Sequence, residues 1–316
     1  MNKRPLLIAV ILMTVLAACA KTPVLPEAAI STEDQQTAIP QKGVRYIPIL
    51  AINTGDPSKG MVYLEDPATG ERSPYLELAD IYSDHYHPVE YQAGNLFAIR
   101  RFDYTGPGDD DWRSELWVYD AAKNGKMVFA SKTLDFRASP DGMTIAVSDN
   151  DRLFFMDTNG NAFAQLSAAQ LGNGLPGIEN ASIDLEGWSD DGSRFWGNLF
   201  MASELLGFYE ASAIGGEIKS YDILAVPFSR QEYALNLNTG KLVFSDYPRF
   251  FDADSAERFK ASSSTVTLYL LDLPSMQLTT IAINTAKEFH PRWLGNNGIQ
   301  YDDPNAPDKQ LEYALK

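Results

Sequence analysis

Beyond residue 43 the hydrophobic positions fall in short alternating runs separated by turn formers. Met61-Val62-Tyr63-Leu64, Leu116-Trp117-Val118-Tyr119, Met143 to Val147, Leu153-Phe154-Phe155-Met156 and Thr267 to Leu271 are examples. β-Branched and aromatic residues fill these runs, and Gly, Asn, Asp and Pro bound them. That pattern predicts strands joined by tight hairpins. No long run carries the 3.6-residue period of an amphipathic helix. Residues 165–172 and 253–261 are each predicted to form a short helical turn within a loop.

A fixed spacing underlies the strands. From Phe136 to Val147 a short strand leads into Ser139-Pro140-Asp141-Gly142 and a second strand with a small residue at its centre. Leu185 to Trp196 has the same frame around Ser189-Asp190-Asp191-Gly192. Weaker copies run from His87 to Ala98, from Tyr233 to Phe244 and from His290 to Gly298. The turn glycines Gly94, Gly142, Gly192, Gly240 and Gly298 recur about every 50 residues, and Gly43 stands one step ahead of Gly94. Tight hairpin turns need positive φ, which glycine adopts without strain. A period of this length holds four short strands, the content of one propeller blade.

The expectation is therefore an all-β fold, a β-propeller of four-stranded antiparallel blades over residues 43–316. The turns count six blades, with seven as the alternative. The first unit lacks an opening strand and the last a closing one, so one is expected to complete the other. Ser-Pro-Asp-Gly followed by an apolar strand resembles the repeat of TolB-like propellers, the PD40 group of WD40-like repeats. The resemblance spans residues 43–316, and units two to four are nearest the pattern. The fifth unit lacks the Ser-Pro core, and the sixth has Trp293 but no Ser-Pro-Asp. The resemblance implies a non-enzymatic role in binding a protein partner.

The start of the chain has a different character. Lys3 and Arg4 precede an apolar run from Leu6 to Leu16 broken only by Thr14. Eleven residues are too few to span a bilayer, and they suit the core of a secretory signal over residues 1–18. The run closes on Leu16-Ala17-Ala18-Cys19, which resembles the lipobox of bacterial lipoproteins. That resemblance implies cleavage before Cys19, a diacylglycerol on its thiol and an acyl chain on the new amine; two or more chains anchor a protein stably. Ala20, not aspartate, follows Cys19. In Gram-negative lipoproteins an aspartate there resembles an inner-membrane retention signal, so outer-membrane placement is expected. Residues 19–42 carry Pro23, Pro26 and Pro40 with many small and polar residues. They are expected to act as a flexible tether, reaching roughly 25–30 Å as a coil.

Cys19 is the only cysteine. Once lipidated it leaves the domain neither a disulfide nor a cysteine nucleophile. The core must hold the domain together, and 45% hydrophobic and 11% aromatic residues suffice for one. The chain carries a net charge of −16, and loss of Lys3 and Arg4 makes the remainder more acidic. Such a surface repels nucleic-acid phosphates. The expected partners are the membrane, through the lipid, and an envelope protein. No cofactor is expected beyond that lipid.

In an antiparallel blade the loop after the second strand and the loop entering the next blade lie on one face. The long connections 103–113, 167–183 and 246–264 map there, and loops on rigid scaffolds carry function. The candidate binding face comprises Asp109, Asp110, Asp111, Trp112, Tyr247, Arg249, Phe250 and Phe251, with His85, His87 and His290. His87 and His290 occupy the same repeat position ahead of a proline, near the axis. Three imidazoles there could hold a transition metal, although repeat packing alone accounts for paired histidines. Asp109 to Asp111 could offer oxygens to Ca²⁺, but an acidic solvated turn is the plainer reading. Asp157-Thr158-Asn159-Gly160-Asn161 lacks the glycine and glutamate of a calcium loop and reads as a hairpin turn. No Gly-x-Ser-x-Gly, phosphate-cradling, His-Glu-x-x-His or Cys-x-x-Cys motif occurs. Peptide or protein binding without catalysis is therefore the leading reading. The alternative is a propeller enzyme acting on envelope or extracellular carbohydrate, with metal at the axial histidines or with aromatics stacking on sugar.

Overall fold

The computed structural model describes residues 45–315, apart from 57, 80–88, 104–111, 203, 213, 215, 251, 286 and 307. The described residues form six separate antiparallel sheets, each an up-and-down meander in chain order. The first holds β1 (Ile47–Ile52), β2 (Lys59–Glu65) and β3 (Arg72–Ala79). The second holds β4 (Val89–Gln92), β5 (Asn95–Asp103), β6 (Trp112–Tyr119) and β7 (Gly125–Ser131). The third holds β8 (Asp135–Ala138), β9 (Thr144–Asp149), β10 (Arg152–Asp157) and β11 (Ala162–Ser167). The fourth holds β12 (Ser182–Trp188), β13 (Arg194–Met201), β14 (Glu204–Ser212) and β15 (Ile218–Asp222). The fifth holds β16 (Tyr233–Asn236), β17 (Lys241–Ser245), β18 (Thr265–Asp272) and β19 (Gln277–Thr285). The sixth holds β20 (Arg292–Leu294), β21 (Gly298–Asp302) and β22 (Gln310–Ala314). The inner strands stand beside one another in chain order, β1 next to β4, β4 next to β8, β8 next to β12 and β16 next to β20. The fold is a β-propeller.

The repeated turn forms for a local reason. Asp141 Oδ1 accepts from the Ser139 hydroxyl at 2.5 Å and from the amide of Met143 at 3.0 Å. Ser139 Oγ accepts in turn from the amide of Thr144 at 2.9 Å. Ser189, Asp191, Ser193 and Arg194 repeat the set at 2.6, 3.0 and 3.1 Å. Both turns need glycine at the left-handed position, with φ of +67° at Gly142 and +68° at Gly192. Two expectations change here. The opening strand of the first unit is present as β1, and its turn spans residues 53–58, where Asn53 Oδ1 accepts from the amide of Gly55, rather than lying at Gly43. What the first and last sheets each lack is a fourth, outer strand, and the sheets share no strand among the described residues. In the sixth sheet Gly295 takes the positive φ of +59°, whereas Gly298 opens β21.

The core lies between neighbouring blades. Tyr75 and Tyr91 meet edge to face at 5.4 Å between the first and second sheets. Phe155, Trp188 and Phe195 cluster at 4.9–5.7 Å between the third and fourth. Trp196 stacks on Tyr221 at 5.7 Å, and Leu242 and Phe244 of the fifth sheet join them in one buried cluster. Aromatic pairs of this kind add about 0.5–1.5 kcal/mol beyond area burial. The predicted helical turns are present as α1 (Ala168–Leu171) and α2 (Ala253–Lys260). Asp252 caps α2 by accepting from the amide of Ser255 at 2.7 Å.

Candidate functional site

Charged residues line the inner strands at alternate positions. In β8 Asp135 and Arg137 alternate with buried Phe136 and Ala138. In β12 Asp184 and Glu186 alternate with buried Ile183 and Leu185. Arg230 and Glu232 continue the series just ahead of β16. The period of two puts the pairs of β8 and β12 each on one side of its strand, opposite the buried apolar residues.

These groups bind one blade to the next. Glu90 of β4 accepts at Oε2 from the amide of Ala138 at 2.7 Å. Arg230 Nη2 donates to Asp184 Oδ2 at 2.8 Å, and its guanidinium lies 5.1 Å above the Phe200 ring. Glu186 Oε1 accepts from the Tyr233 hydroxyl at 2.7 Å and from Asn198 Nδ2 at 2.8 Å. Glu232, buried, accepts at Oε1 from the amides of Phe289 and His290 at 2.7 and 2.8 Å, and at Oε2 from the Ser245 hydroxyl. Desolvation dominates the carboxyls that face inward. It pushes Glu90 up to about 7 against the opposing effects of the Ala138 amide and Arg137. It also raises Asp135 and Glu186, the latter despite its two hydrogen bonds.

A second feature opens on the loop face around the fourth to sixth sheets. A hollow of about 550 Å³ is walled by Leu205, Val226, Phe228, Arg230, Asp246 and Arg249, among others. It shares Arg230 and Arg249 with a second of about 470 Å³ lined by Ala202, Arg230, Gln231 and Arg249. Gln231 leads to a third of about 340 Å³ beside α2, and Tyr247, Lys260 and Glu288 lead on to a fourth of about 310 Å³ at His290 and Asp302. The four make one open groove. The connection entering the fifth sheet and the connection after β17 wall its first part together, as alternating strand direction requires.

The residues singled out from the sequence fall differently. Arg249 is exposed on the groove. Tyr247 and Phe250 both line the hollow beside α2, with much of each ring packed into the protein. Tyr247 is 2% exposed and Phe250 half-buried, because both pack on Phe259 of α2 at 5.3–5.4 Å. Trp112 opens β6. His85, His87, Asp109, Asp110, Asp111 and Phe251 lie outside the described residues, as do Cys19 and the tether. His290 is exposed, with φ +44°. Its Nδ1 lies 3.0 Å from Asp302 Oδ2 and its Nε2 3.5 Å from Glu288 Oε2. Among the described residues no three His, Cys, Asp or Glu side chains converge on a metal position. Sequence reasoning missed Glu90, Asp184, Glu186, Arg230 and Glu232. Their signal is visible in retrospect as Asp-x-Arg and Asp-x-Glu in the inner strands of two successive units, with Arg-x-Glu just ahead of the inner strand of the next.

No protein-family model matches the chain, and no curated protein matches it in sequence. Solved structures match in fold. An acylaminoacyl peptidase from Pyrococcus horikoshii aligns at 16% identity and a TM-score of 0.50 over 86% of this chain and 43% of its own. This chain thus spans less than half of that peptidase. The β-propeller domain of the Trilobed protease from Pyrococcus furiosus aligns at 9% identity and a TM-score of 0.45, over 85% of this chain and 81% of its own. TolB from Acinetobacter baumannii aligns at 12% identity and a TM-score of 0.42, over 88% of this chain and 65% of its own. At these identities the likeness is one of fold, and propellers host both enzymes and binding proteins.

Proposed function

We propose that this chain is an envelope lipoprotein, held to the outer membrane by lipid on Cys19, whose propeller binds an extended segment of a protein partner along the loop face. The groove from Leu205 to Asp302 carries the reading. It is long, open and walled by apolar and charged side chains in turn, a shape that suits an extended peptide better than a small enclosed substrate. The leader, the lipobox and the proline-bearing tether support the placement at a membrane, because a tether of that length lets a folded domain reach a partner anchored nearby. A non-catalytic role fits a groove whose charged groups are largely engaged with the protein itself.

Photo-crosslinking tests the proposal. A benzophenone side chain replacing Gln231 in the groove is expected to capture one envelope protein in living cells. The same group replacing Met143, 62% exposed in a turn on the opposite face, is expected to capture none. Equal capture from both positions, or none from Gln231 and its neighbours, refutes the loop face as the binding surface.

A further inference from the structure

We infer that Asp184, Glu186 and Asn198 form the protein side of a divalent cation site between the fourth and fifth blades, taking a hard, oxygen-seeking ion of the Ca²⁺ class. The inference is independent of the peptide-binding reading above. Strand register brings the three together. Asp184 of β12 lies directly opposite Asn198 of β13, so their side chains share one face of the sheet, the face from which Asp184 meets Arg230. Asn198 Nδ2 donates to Glu186 Oε1 at 2.8 Å. Asn198 is thus the neighbour of both carboxyls.

Asn198 supplies the observation that points to a ligand. The residue is 1% exposed, and its carbonyl oxygen Oδ1 is out of reach of water and has no hydrogen-bond partner. A buried acceptor left in this state is costly. Turning the amide over does not relieve it, because Oδ1 would then face the Glu186 carboxylate and Nδ2 would be the orphan. A bare Ca²⁺ comes to an oxygen at about 2.3–2.6 Å, closer than most hydrogen-bonded waters, which suits an atom that water does not touch.

The carboxyls are built in the same manner. Each has one oxygen tied to the protein. Asp184 Oδ2 accepts from Arg230 at 2.8 Å, and Glu186 Oε1 accepts from the Tyr233 hydroxyl at 2.7 Å as well as from Asn198. Their other oxygens, Asp184 Oδ1 and Glu186 Oε2, take no hydrogen bond among the described residues. Bonds on the far oxygens are what orient carboxylates toward a metal, and two carboxylates with one amide carbonyl and water are a donor set for Ca²⁺. The arginines nearby are engaged, Arg230 with Asp184 and Arg137 with Asp135 at 3.0 Å, so the charge of Glu186 is the one left over. The Asp184 side chain is 42% exposed, which gives the ion a way in and room for water ligands. With the ion bound, Asp184 is also held for Arg230, a residue of the groove wall.

Titration of the full chain in detergent, stripped with EDTA and desalted, tests this with Tb³⁺ and Ca²⁺ alone. Tb³⁺ takes calcium sites and emits when excited through a nearby tyrosine, here Tyr233. Sensitised emission is expected to saturate at a single Tb³⁺ and to be displaced by Ca²⁺, and Ca²⁺ is expected to raise the thermal midpoint. Asp184→Asn is expected to weaken Ca²⁺ binding at least tenfold and to abolish the shift. Glu186→Gln keeps an oxygen for Tyr233 and Asn198, guards against a loss of fold, and is expected to do the same. A parent with no sensitised emission and a midpoint indifferent to Ca²⁺ overturns the inference. Binding that survives in both variants puts the ion elsewhere, as at Asp109 to Asp111, and overturns it equally.

Discussion

The indole Nε1 of Trp188 donates to the main-chain carbonyl of Arg137 in the preceding blade at 2.9 Å. Trp293 makes the same bond to Ala234 at 2.9 Å. The two tryptophans hold equivalent repeat positions, so one bond is used twice to fasten a blade to the inner strand before it. Trp188 adds edge-to-face contacts with Phe155 and Phe195. Trp188→Phe removes the donor and keeps much of the ring packing, and is expected to cost about 1–2 kcal/mol. Trp188→Ala also leaves a cavity and is expected to cost about 3–5 kcal/mol. Urea unfolding measures both. A Phe variant as stable as the parent would show that the bond contributes nothing net.

Gly142 sits at φ +67° in the repeat turn, and a Cβ there would lie 2.7 Å from the carbonyl oxygen of Gln92 in the neighbouring blade. Gly70 has a similar φ of +71° and open space around it. Gly70→Ala is expected to cost about 1 kcal/mol from backbone strain alone. Gly142→Ala is expected to cost clearly more, because the second blade must give way. Thermal midpoints of the two variants, measured side by side, separate the conformational cost from the packing cost.

This contrast marks what the sequence reveals. Ser139 to Gly142 and Ser189 to Gly192 are local, since their hydrogen bonds span two to five residues, and the repeat was legible from them. The burial of Tyr247 was not, because it depends on Phe259 of α2 folding back across the loop. The axial charges were hidden for a related reason. Asp184 and Arg230 meet only because adjacent blades bring β12 and the approach to β16 together, and nothing in the spacing of either pair names its partner. The groove is harder still to read, since five connections from three blades wall it.

Glu90 gives the molecule a pH dependence of definite sign. Burial raises its folded pKa to about 7 from the ordinary glutamate value of 4.5. The folded state therefore binds this proton more tightly than the unfolded state does, and the carboxylate costs stability as pH rises. The cost is absent below about pH 4.5, grows across the interval to pH 7 and is complete above it. Because the side chain is only half-buried, its size is on the order of 1–2 kcal/mol. Glu90→Gln keeps an acceptor for the Ala138 amide and is expected to stabilise the protein at pH 8 but not at pH 4. Denaturant midpoints at the two values check this. A Gln variant less stable than the parent at pH 8 means that Arg137 and Arg45 compensate the charge in full.

The proposed lipidation of Cys19 makes a separate prediction. Cys19→Ala is expected to abolish incorporation of a clickable fatty-acid analogue and to move the protein from the membrane to the soluble fraction after export. Because the propeller contains no other cysteine, its thermal midpoint is expected to be unchanged. Retention of label in the alanine variant would place the acyl chain elsewhere.

Glu232 positions the approach to the sixth blade. One of its oxygens takes two successive amides, those of Phe289 and His290, while the other takes the Ser245 hydroxyl. Phe289 is buried against Tyr301 at 6.0 Å, and His290 is held at φ +44°, a strained value for a residue with a side chain. Glu232→Ala strands both amides and the hydroxyl at a buried site, each unmet group costing about 1–3 kcal/mol. Glu232→Gln is gentler, since its oxygen can still accept both amides and its new N–H₂ can donate to the serine hydroxyl, which rotates to suit. The alanine variant is expected to lose about 3 kcal/mol or more and the glutamine variant a fraction of that. Hydrogen exchange at Phe289 and His290 is the sharper measurement, because it reads the two bonds directly. Their protection is expected to fall furthest in the alanine variant, ahead of any change in the β9 amides of the third sheet. Uniform loss of protection across all sheets would mean that Glu232 supports the whole ring rather than this one connection.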